Sequence, residues 1–284
     1  MRKIILLLSL FLTLQLSGQI MPGVIASQGG TAASYSAEYQ AVYNAYTTKP
    51  ASDTAAFQNT LASELVAAGV WAEADVIYVT ANGNITNALL NWFAPTGDDN
   101  LTNTTATPFT KYEGFTGASA TEEYMSTNFN PSTEGVKYTL DDCAISVYTR
   151  IDIDALECAI GVYDATNYIT LYPRYNNEIA TRINSTETSV VKTVASSLGL
   201  STVARTSSSS LSLFRGSTNL GAGTQNSGAR PNGIIDLFRR AEFTHHSNNQ
   251  ISFVFIGGSL SEAQVASMNT AVEKYMDAIG KGVQ

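Results

Sequence analysis

Residues 143–174 constrain the fold of this chain more than any other part of its sequence. Three successive runs, CAISVYTRI, CAIGVY and YITLYPR, alternate apolar and polar side chains. Alternation with a period of two residues is typical of antiparallel strands that bury one face. The runs are separated by residues 152–155 and 164–167, which are rich in the Asp and Asn that tight turns favour. We therefore expect three sequential strands joined by two hairpins.

The first residues have the pattern of an export signal. Arg2 and Lys3 precede an apolar run that ends in Ser17 and Gly18, which predicts a signal peptide over residues 1–18. The run is shorter than the roughly 20 apolar residues of a spanning helix, so we expect no transmembrane anchor. Residues 19–34 are rich in Gly, Ala and Ser and are expected to form a flexible leader. The location that follows is secreted, extracellular or in a virion.

The composition limits the classes of partner. The net charge is −8, and only 14% of the residues are charged, against about a quarter in ordinary proteins. Nucleic-acid binding needs clustered Lys and Arg to neutralise phosphates, and the sequence has no such cluster. A surface covered by hydroxyl and amide groups suits uncharged polar ligands such as sugars, although solubility alone also explains it.

Two cysteines, Cys143 and Cys158, occur in the chain, and an exported protein permits a disulfide between them. Both cysteines have the inward parity of their strands. If the first two strands form a hairpin near Ile153, Cys143 lies opposite residue 164, farther from Cys158 than the ~7 Å between Cα atoms that a disulfide allows. We favour two buried free thiols, with a disulfide as the alternative.

Two structural regions are expected after the leader. Residues 35–94 are predicted to form a small helical preface, with helices over 36–46 and 53–68, a strand over 74–80 and a short helix over 85–92. The preface either packs on the following domain or attaches it to something larger. Residues 95–284 contain about a dozen predicted strands at the spacing of a sandwich or jelly roll.

Three features of the second region carry specific expectations. The strand over 250–256 is apolar on both faces and is predicted to be central. Residues 216–233 are expected to form a long mobile loop. Ser261 and Gln264 have the spacing of a capping box, which predicts a C-terminal helix.

The sequence carries no strong catalytic motif. His245 and His246 are adjacent, and neighbouring side chains on a strand point to opposite faces, so they are poor joint metal ligands. Asp152 and Asp154 alternate, but within a predicted turn, where Asp is common. Polysaccharide hydrolysis needs two carboxylates that converge on one cleft. We therefore predict that the protein is not an enzyme.

Two groups of residues are candidates for ligand contact. Aromatic, guanidinium and amide side chains meet at one predicted strand exit, as Tyr172, Arg174, Tyr175 and Asn176. Such a group can stack on a sugar ring and donate hydrogen bonds to its hydroxyls. Asp98 and Asp99 lie in a Gly-bearing loop whose oxygens could bind Ca²⁺, although Asp is also ordinary in turns.

Several stretches carry a family resemblance. Residues 109–117, 124–131, 144–148, 171–174, 182–184 and 255–261 resemble, in order, the laminin-G-like/concanavalin A-like jelly roll. The version is similar to that of dsDNA phage virion and tail-associated proteins. The resemblance implies a mainly β fold: an antiparallel β-sandwich (concanavalin A-like jelly roll) with a small N-terminal helical preface and a C-terminal helix. A signal peptide is unusual in a virion protein and favours a secreted or prophage-derived product.

The leading hypothesis for function is a non-enzymatic carbohydrate-binding or adhesion module. Its partner would be a glycan or cell-surface polysaccharide, because the fold hosts lectins and adhesion modules. The alternative is a structural phage tail, decoration or assembly protein, which would contact other virion proteins or itself. A polysaccharide hydrolase or lyase is the third hypothesis.

Overall fold

A computed structural model describes residues 34–240 and 245–283. The predicted signal peptide, and all but the last residue of the predicted leader, lie outside the described residues. Within the described ranges, no helix has both the length and the apolar character needed to cross a bilayer.

The described chain contains four α-helices and fourteen β-strands. The helices are α1 (Ala37–Ala45), α2 (Ser52–Ala67), α3 (Ile85–Ala88) and α4 (Glu262–Ala278). The strands are β1 (Ala74–Tyr78), β2 (Phe109–Thr110), β3 (Gly114–Thr116), β4 (Met125–Ser126), β5 (Cys143–Thr149), β6 (Ile160–Tyr163), β7 (Tyr168–Tyr175), β8 (Glu178–Ser185), β9 (Val190–Thr193), β10 (Gly199–Arg205), β11 (Ser210–Arg215), β12 (Thr218–Thr224), β13 (Asp236–Leu237) and β14 (Gln250–Gly257).

These strands form two sheets whose pairings are all antiparallel. The eight-stranded sheet has the order β12-β11-β10-β5-β14-β3-β2, and β1 also pairs with β14. The six-stranded sheet has the order β4-β13-β6-β7-β8-β9. The prediction of a mainly β antiparallel sandwich with an N-terminal helical part and a C-terminal helix is confirmed.

Alternating side chains divide the structure into layers. On β14, Val254 and Ile256 belong to the core between the two sheets. Phe253 and Phe255 face the other way and pack with helix residues such as Leu65. The predicted central position of this strand, apolar on both faces, is therefore confirmed. The helices cover the outer face of the eight-stranded sheet.

The N-terminal elements share both the sheet and the helix layer with the rest of the chain. Strand β1 pairs with β14 over four residue pairs, and α2 packs against α4. The Asp75 carboxylate accepts hydrogen bonds from the backbone N–H groups of Lys137 and Tyr138. Residues 35–94 are thus integrated into the same compact unit as the later strands.

One of the two predicted hairpins is correct. Strands β6 and β7 pair across the turn at residues 164–167, with Tyr163 opposite Tyr168. The hairpin at residues 152–155 was wrong, because β5 pairs with β10 and β14 in one sheet while β6 lies in the other. Residues 152–155 instead begin the connection from β5 in the eight-stranded sheet to β6 in the six-stranded sheet. The predicted loop over 216–233 was also partly wrong, since residues 218–224 form β12.

Both cysteines are buried free thiols, as favoured from the sequence. Cys143 lies in the core between the sheets. Cys158 instead packs against Tyr172 and Ala180, whose side chains belong to the outer face of the six-stranded sheet. The prediction that the Cys158 side chain points into the core was wrong. Strand β6 begins only at Ile160, and strict alternation does not extend back to Cys158, two positions earlier.

Candidate functional site

A cleft opens on the outer face of the six-stranded sheet, the sandwich face that lies away from the helices. Its volume is about 350 Å³, within the range of small-ligand pockets. The lining residues come mainly from β7, β8 and β9 and from the described ends of the loop that follows β13. They are Leu156, Tyr168, Thr170, Tyr172, Tyr175, Glu178, Ala180, Arg182, Ser189, Val191, Arg240 and His245.

The alternation of β7 explains its share of the cleft. Ile169 and Leu171 point into the core, so Tyr168, Thr170 and Tyr172 point outward. The register with β8 then places Arg182 opposite Thr170. Each pair of cross-strand partners lies on one face of the sheet. The β7–β8 hairpin therefore supplies the floor of the cleft.

A small residue makes the hollow. Ala180 lies opposite Tyr172 on the same face, and its methyl group leaves room between the larger side chains around it. Leu156 and Val191 form an apolar rim, with 43% and 41% of their surfaces exposed. The rim and the aromatic rings supply the apolar surface that ligand pockets commonly combine with a few polar groups.

The three tyrosines of the cleft have different neighbours. The ring of Tyr168 stacks on Tyr163 at 4.2 Å between centroids, with an angle of 15° between planes. The Tyr172 hydroxyl lies 2.9 Å from Nδ1 of His245. Tyr175 has no ring or cation–π contact among the described residues. Tyr175 is therefore the aromatic surface that a ligand could stack on.

Two arginines give one end of the cleft a positive charge. The guanidinium carbon of Arg182 lies 4.5 Å from the centre of the Tyr168 ring, and that of Arg240 lies 5.4 Å from it. Burial, and then the charges of Arg240 and Arg182, lower the pKa of His245 below its ordinary value. His245 is therefore neutral at pH 7, and among the described residues at this end the positive charges are those of the two arginines.

One polar atom in the floor of the cleft has no hydrogen-bond partner among the described residues. Thr170 is 1% exposed, and its Oγ1 makes no hydrogen bond to any described residue. Leaving a buried hydroxyl unpaired costs about 1–3 kcal/mol, so native proteins do so rarely. This atom lies between the outward side chains of Tyr168 and Tyr172, on the side of the sheet that faces the cleft.

Nucleophilic chemistry is not favoured in this cleft. Burial raises the pKa of the Cys158 thiol, which packs beneath Tyr172, to about 12. The thiol is therefore protonated at neutral pH and a poor nucleophile. Among the described lining residues, Glu178 is the single carboxylate.

The structure brings two of the four predicted ligand residues into the cleft. Tyr172 and Tyr175 line it, whereas Arg174 and Asn176 do not. Arg174 instead forms ion pairs with Asp152 at 3.3 Å and Asp154 at 3.5 Å. Asn176 lies in the turn between β7 and β8 with a left-handed φ of 54°.

The loop predicted to bind Ca²⁺ holds two carboxylates of different exposure. Asp98 is exposed and Asp99 is partly buried. Burial, and then the charges of Glu134, Asp98 and Asp75, raise the pKa of Asp99 to about 6. Within residues 34–240 and 245–283, no three His, Cys, Asp or Glu side chains gather in a way that could hold a metal ion.

Sequence reasoning missed most of the cleft, for two different reasons. Tyr168 and Thr170 share the parity of Tyr172, so extending the alternation back along β7 identifies them. Arg182 follows from the β7–β8 register. Arg240 and His245 come from a distant part of the chain, and no local pattern connects them to β7.

No protein-family model matches this chain, and no curated protein sequence matches it. Solved structures do. The botulinum neurotoxin serotype D binding domain aligns with 70% of this chain and 52% of its own, at 10% identity and a TM-score of 0.51. The receptor binding domain of botulinum neurotoxin D aligns with 72% and 54%, at 11% identity and the same TM-score. This chain thus matches only about half of each neurotoxin domain.

A further match is Domain 4 of AbnA, a GH43 extracellular arabinanase from Geobacillus stearothermophilus, in complex with arabinotriose. It covers 69% of this chain and 98% of its own, at 11% identity and a TM-score of 0.45. At these identities, the matches to the neurotoxin domains show a shared β-sandwich fold and nothing more.

Proposed function

We propose that this protein is a non-enzymatic carbohydrate-binding module that recognises a surface glycan through the cleft on the six-stranded sheet. The observation that carries the proposal is the buried Oγ1 of Thr170, which has no hydrogen-bond partner among the described residues and lies in the floor of an aromatic cleft. A ligand hydroxyl would satisfy this atom, and sugars present many hydroxyls at short spacing. The fold that the chain shares with domains named for receptor binding is consistent with this role.

The other side chains fit the same ligand class. Tyr175 offers an aromatic face for the apolar side of a sugar ring. Glu178 and Ser189 can accept or exchange hydrogen bonds with its hydroxyls. The paired Tyr172 and His245 hold each other in place, which lowers the cost of ordering the site on binding.

The cleft supports binding better than catalysis. A glycosidase of the usual kind uses two carboxylates about 5–9.5 Å apart, and Glu178 is alone among the described lining residues. The protonated thiol of Cys158 offers no substitute. A polysaccharide hydrolase or lyase would have to show turnover, which release of reducing ends from a panel of polysaccharides measures.

We further propose that the mature protein acts outside the cell that makes it, as a secreted or virion-associated product. The basic and apolar pattern of residues 1–18 and the low share of charged residues support this location. N-terminal sequencing of the protein recovered from culture medium tests it, and a mature chain starting near Gln19 is expected. Full-length protein retained in the cytoplasm would contradict it.

The glycan-binding proposal is tested on an array of bacterial and host glycans with the full chain, with and without Ca²⁺. Wild type is expected to bind a restricted set of glycans, and Tyr175→Ala to bind the same set about tenfold more weakly, a loss of about 1.4 kcal/mol, because the variant removes the aromatic face. Tyr43→Ala removes a tyrosine of α1 and is the matched control. Binding that no cleft variant changes would contradict the proposed site.

A further inference from the structure

We propose that the cleft selects sugars that carry a carboxylate, such as uronic acids, and that Arg182 binds the carboxylate. This inference depends on the proposed glycan-binding function and adds the class of sugar.

The side chain of Arg182 is held in place by contacts that involve its Nε and the face of its guanidinium. Its Nε donates to the Ser189 hydroxyl at 3.3 Å, and its guanidinium lies over the Tyr168 ring. Among the described residues, neither terminal amino group of Arg182 has a hydrogen bond or an ion pair. These two groups form the fork that binds a carboxylate through two parallel hydrogen bonds.

Three other arginines of the chain donate to acceptors within the protein and so stabilise the fold. Arg174 pairs with two aspartates, and Arg215 donates to the carbonyls of Ser197 and Pro173. Arg205 is buried and also donates to backbone carbonyls. Among the residues that the structure describes, the terminal amino groups of Arg182 have no such acceptors, although the side chain lies in a cleft with Thr170 as its cross-strand partner.

The charges of the cleft are separated along its length. Arg182 and Glu178 point outward from the same strand, four residues apart, which is about 13 Å along the strand. Arg240 adds to the positive end beside Tyr168. The chain as a whole carries a net charge of −8, so this positive end is a local exception. The lowered pKa of His245, caused partly by both arginines, reports the same local potential.

A single sugar acid satisfies this arrangement. Its carboxylate would bind the Arg182 fork, and a ring hydroxyl of the same unit would reach Oγ1 of Thr170, on the neighbouring strand position. The next sugar units of the glycan would then extend along the sheet toward Tyr175. A neutral sugar could contact Thr170 and Tyr175 but would offer no carboxylate to Arg182.

The experiment compares acids with their methyl esters, which keep the shape of the sugar and remove its charge. The probes are tetragalacturonate, a hyaluronan tetrasaccharide and 3′-sialyllactose, each with its carboxyl methyl ester, titrated calorimetrically into the full chain. Wild type is expected to bind at least one acid about ten to a hundred times more tightly than its ester, as expected for hydrogen bonds to a charged group.

Three variants locate the effect. Arg182→Gln is expected to bind acid and ester equally, at the affinity of the wild type for the ester, and Arg182→Lys to recover part of the preference. Lys192→Gln removes the same charge from the neighbouring strand β9 outside the cleft and is expected to keep the full preference. Thermal unfolding of each variant checks that the fold is intact.

The outcomes separate the two proposals. Equal binding of acids and esters, or equal loss in Lys192→Gln and Arg182→Gln, overturns the assignment of Arg182. If a neutral glycan then still binds and Tyr175→Ala weakens it, the glycan-binding function stands without the acid preference. If no acid and no glycan of the array binds, both proposals are overturned.

Discussion

At the residue scale, two threonines on neighbouring strands differ in whether their buried hydroxyls have a hydrogen-bond partner among the described residues. Thr181 points into the core, and its Oγ1 donates to the Thr170 carbonyl at 2.7 Å. The Oγ1 of Thr170 points into the cleft and has no described partner. Both side chains are at most 1% exposed, so burial does not distinguish them. Only the presence of a partner does.

We expect the valine substitutions at these positions to have opposite effects. Thr170→Val removes an unsatisfied hydroxyl and is expected to leave the free energy of unfolding unchanged or raise it by up to about 1 kcal/mol, while glycan binding weakens. Thr181→Val breaks a buried hydrogen bond and is expected to cost about 1–2 kcal/mol without changing affinity. Urea unfolding and the glycan assay measure both. A large destabilisation by Thr170→Val would show that its hydroxyl serves the fold.

An ion pair at the other end of the same sheet makes the stability of the protein depend on pH. Asp236 is buried on β13, and the guanidinium of Arg239 lies 2.7 Å from its Oδ2. Burial raises the pKa of Asp236 to about 6, and Arg239 opposes that rise. The carboxyl therefore binds its proton more tightly in the folded state than in the unfolded state, where its pKa is about 3.8. Stability contributed by this group is present below pH 4 and falls as the pH rises toward 6.

Arg239→Ala should steepen this dependence. Without the guanidinium, a charged Asp236 would remain buried and unpaired, so we expect a loss of about 2–4 kcal/mol at pH 7.5. At pH 4.5 the carboxyl is protonated and the loss should be clearly smaller. Urea unfolding at both pH values measures the difference, with Lys111→Ala, an exposed lysine, as the control. An equal loss at both pH values would mean that Arg239 acts through its packing on Tyr124 instead.

At the element scale, the sequence predicts best where short-range rules decide. The C-terminal helix is an example, because the capping box that starts it is a local signal. Ser261 accepts a hydrogen bond from the Gln264 N–H, and the Gln264 side chain accepts one from the Ser261 N–H. The predicted capping box is present, and the helix runs from Glu262 to Ala278 as expected.

We therefore expect Ser261→Ala to destabilise the protein by about 1 kcal/mol, since this is the usual cost of losing an N-cap side chain. The effect should reach global stability, because α4 packs on α2 and against the eight-stranded sheet. Ser267→Ala, on the exposed face of the same helix, is the control and should change stability by less than about 0.5 kcal/mol. Thermal unfolding followed by circular dichroism distinguishes the two variants.

The sequence predicts less well where distant partners decide. Strand β12, with the sequence TNLGAGT, lacks the β-branched alternation of a buried strand. It becomes a strand because β11 pairs with it. The turn-like residues 152–155 likewise predict a hairpin, yet the partners of β5 are β10 and β14, whose paired residues come 50 to 113 positions later. No local pattern carries that information.

The candidate site divides in the same way. Tyr172 and Tyr175 were predicted because aromatic residues at a strand exit are visible in the sequence. Arg174 was predicted on the same basis, but it forms ion pairs with Asp152 and Asp154 and does not line the cleft. The positive end of the cleft depends on Arg240, which reaches β7 only through the pairing of β13 with β6.

At the scale of the whole molecule, the layers explain where a ligand can bind. The helices bury the outer face of the eight-stranded sheet, so that face supports the fold. The outer face of the six-stranded sheet carries the cleft instead. The N-terminal helices therefore cover one sandwich face and leave the other uncovered, although they precede the sandwich in the chain.

This arrangement predicts that residues 35–94 and the sandwich unfold together. The side chains of one layer depend on the other: the Tyr78 hydroxyl donates to the Thr127 carbonyl, and the Tyr275 hydroxyl donates to the Ala81 carbonyl. Strand β1 could not leave without exposing one side of β14. Loss of the N-terminal elements would therefore expose the apolar outer face of the eight-stranded sheet.

The chain carries natural probes for each part. Its two tryptophans, Trp71 and Trp92, lie in the N-terminal elements, and its two buried thiols, Cys143 and Cys158, lie in the sandwich. We expect tryptophan fluorescence and the labelling of thiols by a disulfide reagent to change at the same urea concentration. Cys158→Ala leaves Cys143, in the core between the sheets, as a single reporter and should give the same midpoint. If the fluorescence changes at a lower urea concentration while the thiols stay protected, residues 35–94 form an independent unit that docks on a self-sufficient sandwich.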